Sequence, residues 1–146
     1  ANQREACDVV SNLTNDGIIG DQSLYFRQYV PLKKYLDGFC GMPVTKEFRC
    51  FVLDGQVLTK AFYWSNYLDD IEQLTGELPN PKDIPEQFLQ TVINQVGKNA
   101  RFYVIDVAQT EEGEWIVIEL NDGQMSGLSC TDPVELYRRM AEVLRG

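Results

Sequence analysis

Residues 101–123 read RFYVIDVAQTEEGEWIVIELNDG, two apolar runs joined by Thr110-Glu111-Glu112-Gly113. A short polar link between two strand-forming runs joins antiparallel neighbours, so the stretch predicts a hairpin. Side chains alternate along a strand, which places Glu119 and Asn121 on one face. A register centred on Glu111-Glu112 puts Asp106 there too. The opposite face, with Tyr103, Ile105, Val107, Ile116, Ile118 and Leu120, is apolar and belongs to a core. Two carboxylates that interrupt apolar runs are either solvated positions on an open sheet or a set of oxygen donors for a hard cation.

Outward from this hairpin, Gln56 to Tyr63 and Val44 to Leu53 flank Asp54-Gly55, which predicts a second long hairpin. Leu24 to Val30 alternates aromatics with Arg27 and stops at Pro31, predicting another strand. Helices are predicted from Ala6 to Leu13, from Ile84 to Val96 up to Gly97, and after Thr131-Asp132-Pro133. Trp64 to Lys82, with Pro79 and Pro81, reads as an irregular surface insertion with one helical turn around Asp69 to Leu74, the most flexible part of the chain. The sum is an α+β domain: an antiparallel sheet of about five strands with helices packed on one face.

Composition narrows the chemistry. The 146 residues suit a single domain, with 44% hydrophobic residues to fill a core. A formal charge of −9 argues against binding along a nucleic-acid backbone, which needs clustered Lys and Arg. Apolar runs are too short to span a bilayer and no leader opens the chain, so a soluble cytoplasmic protein is expected. There is no histidine, which removes Ser-His and Cys-His nucleophile pairs. Cys7, Cys40, Cys50 and Cys130 are widely separated, which disfavours zinc and suggests reduced thiols. Whatever chemistry exists here must use carboxylates, Arg, Lys and bound ions.

A second constellation is Lys46-Glu47-Phe48-Arg49-Cys50-Phe51. Alternation puts Glu47, Arg49 and Phe51 on one face. Arg49 is a charged fork suited to phosphate or carboxylate. Taken alone, the E-x-R pattern equally suits a cross-strand ion pair.

The order of these pieces resembles a family. Arg27-Gln28-Tyr29-Val30-Pro31, then Glu47-Phe48-Arg49, then a helix, Asp106, an acidic turn with Gly113, and Glu119-Leu120-Asn121 are similar to the C-terminal lobe of the ATP-grasp fold. The match is to the clade named for two arginines and one lysine, and it covers about residues 5 to 144. The resemblance implies that Tyr29 and Val30 lie by adenine and that Arg49 lies by phosphate; Glu47, two residues before it, either orients Arg49 or joins the metal's outer shell. It implies Asp106, Glu119 and Asn121 around Mg2+ on ATP, and Arg27 as the other clade arginine. Lys33, Lys34 and Lys46 match the family lysine by type only. The implied reaction is that of an ATP-dependent carboxylate-amine ligase: phosphoryl transfer to a carboxylate gives an acylphosphate, which an amine attacks. The expected partners are therefore ATP and unidentified carboxylate and amine substrates. Because Ala1 falls almost at the first helix, the N-terminal lobe is expected in a longer parent. The alternative is a noncatalytic binding or oligomerisation module on the same fold, with homo-oligomerisation left open. A calcium site at Asn121-Asp122-Gly123 has little to support it, since the spacing does not match an EF-hand loop.

Overall fold

The structure is a computed structural model that describes residues 3–17, 20–21 and 23–146. Helix α1 spans Gln3–Thr14. Strands β1 (Lys34–Asp37) and β2 (Pro43–Thr45) form a small antiparallel pair. Strands β3 (Glu47–Leu53) and β4 (Gln56–Phe62) form the hairpin predicted around Asp54-Gly55. Helices α2 (Leu68–Thr75) and α3 (Glu86–Val96) follow, then β5 (Phe102–Gln109), β6 (Trp115–Asp122) and helix α4 (Pro133–Arg145). The main sheet is antiparallel in the order β4-β3-β5-β6. The α+β class read from the sequence is the one the chain adopts.

At the β3–β4 turn, Asp54 and Gly55 both have positive φ, 47° and 79°. That is the backbone of a two-residue turn whose twist matches the strands. The start of the hairpin differs from expectation: the run from Val44 to Leu53 is two strands, broken at Lys46. There the Lys46 amide donates to the Lys33 carbonyl and its own carbonyl accepts from the Gln109 amide, so the backbone leaves one ladder for another.

The segment 24–30, predicted as a strand, has no ladder partner among the described residues. Alternating aromatics favour an extended chain, but a strand needs a ladder partner, and Tyr25, Phe26 and Tyr29 are exposed instead. Regular pairing begins only with the Leu32–Thr110 bridge and then β1. The segment from Trp64 to Lys82 is more ordered than its composition suggests, because Ile71 of α2 is fully buried and anchors it.

The core lies on one face of the main sheet, where Phe48, Cys50, Val52, Tyr103, Ile105 and Val107 meet Ile71, Leu89, Val92 and Ile93 of α2 and α3. Each large apolar side chain buried there contributes about 2 kcal/mol. On the other face α4 covers one half, its Leu136 packing on Phe51, Leu53, Leu58 and Val104. Its start is fixed by Asp132, whose carboxylate accepts from the Val134 amide at 2.8 Å. The half of that face beyond α4 carries Glu47, Arg49 and Asp106, all three buried.

Strand β6 departs from simple alternation. Asp106 pairs with Glu119, but Val107 pairs with Val117, so Ile118 is an extra residue in β6. The bulge reverses the faces before it. Trp115 and Val117, not Ile116 and Ile118, join the core, and Ile116 lies on the same face as Asp106. Among the described residues no helix is long and apolar enough to cross a membrane.

Candidate functional site

Arg49 and Asp106 face each other across β3 and β5. Arg49 Nε donates to Asp106 Oδ1 at 2.9 Å and Nη2 donates to Oδ2 at 2.7 Å, a bidentate pair in which Asp106 is 1% exposed. The remaining branch, Nη1, donates to the carbonyl of Gly127 at 2.7 Å, and the Tyr63 ring lies under the guanidinium at 4.9 Å. Three of Arg49's five N–H groups are thus engaged. Arg49 and Asp106, expected at phosphate and at magnesium respectively, here hold one another.

Two more carboxylates share this face. Glu47 precedes Arg49 by two residues and Glu119 is the direct cross-strand partner of Asp106. Glu47 is buried, and its Oε2 accepts from the Thr45 hydroxyl at 3.2 Å; Trp64 Nε1 in turn donates to that hydroxyl at 3.3 Å. Burial pushes the Glu47 carboxyl up to about 7. The Thr45 hydrogen bond and the Arg49 charge oppose the rise, while Asp106 and Glu119 add to it. Glu119 is exposed, and Asn121, two residues on, pairs with Val104 on the same face.

The donor set is oxygen only, which suits magnesium. Glu47 is raised first by its burial, with Asp106 and Glu119 adding less to the rise. Among the described residues no three His, Cys, Asp or Glu side chains form a metal cage by themselves. Magnesium typically binds one or two carboxylates and takes water and phosphate oxygens for its other positions, so the donor types suit it, while both Asp106 oxygens are engaged by Arg49.

Tyr29 and Val30 line a separate recess of about 340 Å³ with Gln28, Thr110, Glu111 and Ile116. The Glu111 amide donates to the Pro31 carbonyl at 3.1 Å and fixes the segment against the β5–β6 turn. Arg27 is exposed, and among the described residues no hydrogen bond or ion pair joins it to the Arg49 group. Lys33 and Lys34 are exposed, and Lys34 pairs with Asp37. Lys46 is nearly buried; its Nζ pairs with Asp83 at 2.6 Å and lies 5.9 Å from the Trp115 ring centroid.

Sequence reasoning missed Thr45, Tyr63, Trp64 and the Gly127 carbonyl. Tyr63 and Trp64 follow β4 directly, so the register of that hairpin could have placed them beside Thr45 and Arg49. The Gly127 carbonyl carries no sequence signal, since any residue supplies one.

Among solved structures, the macrocyclase MdnB from Microcystis aeruginosa MRC is similar at 18% identity with a TM-score of 0.45, covering 99% of this chain and 45% of that one. The chain therefore spans less than half the length of that protein. No curated protein matches it. The sequence model of the ATP-grasp domain, family 3 of the clade named for two arginines and one lysine, matches residues 5–140, and this range contains Arg49, Asp106, Glu119 and Asn121. The chain belongs to that family of ATP-grasp domains.

Proposed function

We propose that this chain is the ATP-binding lobe of a ligase that joins a carboxylate to an amine through an acylphosphate. One observation carries the reading: Arg49, Asp106 and Glu47, all buried, gather with the exposed Glu119 on the half of the sheet face beyond α4. On this reading Asp106, Glu119 and Asn121 hold magnesium, with Glu47 beside them, and Arg49 draws the phosphates in. Tyr29 and Val30 border the adenine, and Arg27 supplies a further positive charge.

Bound magnesium supplies charge neutralisation on the phosphates. The chain's own residues position and polarise. Asp106 orients the Arg49 fork and Gly127 fixes its third branch, which leaves two N–H groups for a ligand. Glu47, poised near neutrality, offers an acceptor that ionises fully once positive charge arrives. No protein nucleophile is required, in keeping with a chain that has no histidine. A soluble, cytoplasmic setting and an N-terminal lobe in a longer parent belong to the same proposal.

Calorimetric titration of ATP, with magnesium and with EDTA, tests the reading on this chain and on any longer parent. The expected result is weak binding to this chain and tighter binding to the parent, lost in EDTA and in Glu119→Ala. Binding that is indifferent to both, or a parent that binds no nucleotide, overturns it. The second reading, a noncatalytic module, is favoured by the completeness of the Arg49–Asp106 pair, which forms a satisfied structural bridge without any ligand. It predicts no nucleotide binding by the parent either.

A further inference from the structure

Helix α4 turns Leu136, Met140 and Val143 onto the sheet and leaves a second apolar stripe beside them. Val134, Tyr137 and Leu144 in that stripe are 75%, 66% and 60% exposed, and Ala141 completes it. Steps of three, four and three residues keep these four on one side of the helix. Large apolar side chains left open in a row mark a contact surface. One residue further along at every step runs a charged row, Glu135, Arg138, Glu142 and Arg145. It reads minus, plus, minus, plus. Within one copy Arg138 pairs with Glu135 and Glu142, while Arg145 has no ion pair among the described residues.

The spacing of both rows reads the same in either direction, and that selects the partner. Laid antiparallel on a second copy, Val134 faces Leu144 and Tyr137 faces Ala141, so the largest side chain of one stripe meets the smallest of the other. In the same alignment Glu135 meets Arg145 and Arg138 meets Glu142, opposite charges throughout. A parallel alignment sets like charges against each other. We propose that α4 is the surface through which two copies of this chain associate, antiparallel and about a two-fold axis. The apolar stripe supplies the affinity and the charges fix the direction, since exposed ion pairs contribute little. Three large side chains per copy make a small interface, so the dimer is weak and reversible. No residue of α4 is among those assigned to nucleotide or magnesium, so the proposal does not depend on that reading.

The test is sedimentation velocity of the chain without metal or nucleotide, in reducing buffer so that the exposed Cys7 and Cys40 cannot link copies. Between about 10 μM and about 1 mM the mean mass should rise from monomer toward dimer. Tyr137→Glu, at an exposed position, should hold the chain monomeric over that range. Arg138→Glu with Arg145→Glu makes every facing charge pair alike and should weaken association about tenfold or more. Orientation is read by mixing isotope-labelled and unlabelled chains and recording NMR contacts between copies. Val134 and Leu144 methyls should be in contact, although they lie about 15 Å apart within one helix. A chain that stays monomeric up to about 1 mM overturns the proposal, as does a dimer indifferent to Tyr137→Glu or to the charge reversal, or one without the Val134–Leu144 contact.

Discussion

The guanidinium of Arg49 and the carboxylate of Asp106 meet in two parallel hydrogen bonds between facing positions of β3 and β5, with Arg49 7% and Asp106 1% exposed. Their separation in sequence is 57 residues, so the pair also ties the two central strands of the sheet together.

Removing one partner leaves a buried charge without compensation. Asp106→Ala and Arg49→Ala should each cost on the order of 3–5 kcal/mol in urea unfolding, whereas Arg49→Met with Asp106→Leu should recover most of the loss. A single variant losing less than about 1 kcal/mol would mean that water already solvates the pair.

Stability should depend on pH through Glu47. Its carboxyl is raised from 4.5 to about 7, first by burial, so between these values the folded chain holds a proton that the unfolded chain releases. The contribution is complete below about pH 4.5 and is lost as pH rises through 7. In metal-free buffer, unfolding free energy should therefore fall by about 2–3 kcal/mol from pH 5 to pH 8, and Glu47→Gln should flatten the profile. A wild-type profile that rises over this interval would contradict the assignment.

The Lys46–Asp83 pair is lopsided, with side-chain exposures of 11% and 43%. Asp83→Asn should cost about 1–2 kcal/mol because the nearly buried ammonium loses its partner, while Lys46→Met keeps the packing on Trp115 and should be close to neutral. Thermal unfolding separates the two, since 1 kcal/mol moves the midpoint by about 2–4 °C in a chain of this size.

Gly123 has no room for a side chain: an added Cβ would sit 2.7 Å from the Phe102 ring. Gly123→Ala should cost about 1–3 kcal/mol through overpacking. Because the loop it opens carries the Gly127 carbonyl, the Arg49 side-chain NMR signals should shift as well. Unchanged Arg49 signals would show that the loop absorbs the strain locally.

Both long hairpins were legible in the sequence because their signals are local: Asp54-Gly55 demands its turn, and Thr110 to Gly113 sits between two apolar runs. The Arg49–Asp106 partnership was not, since it depends on the register between β3 and β5, which no turn joins. The strand predicted from Leu24 to Val30 misled because alternation marks an extended chain whether or not a neighbouring strand is there to pair with it. The faces of β6 were half legible. Within Trp115-Ile116-Val117-Ile118 every residue is apolar, so the pattern cannot reveal where one is inserted. Glu119 and Asn121, being polar, show which way they face. The order in Trp64 to Lys82 was hidden because one buried residue, Ile71, secures a segment that is otherwise polar.

Ile118 gives β6 two phases. Before it, odd-numbered residues turn inward; after it, Glu119 and Asn121, also odd-numbered, turn outward. A deletion of this single residue would restore unbroken alternation and force a choice: Trp115 and Val117 could keep the core, or the two polar side chains could keep the face of Arg49, but not both. One inserted isoleucine thus lets a strand only eight residues long serve a dry interior and a charged surface at once.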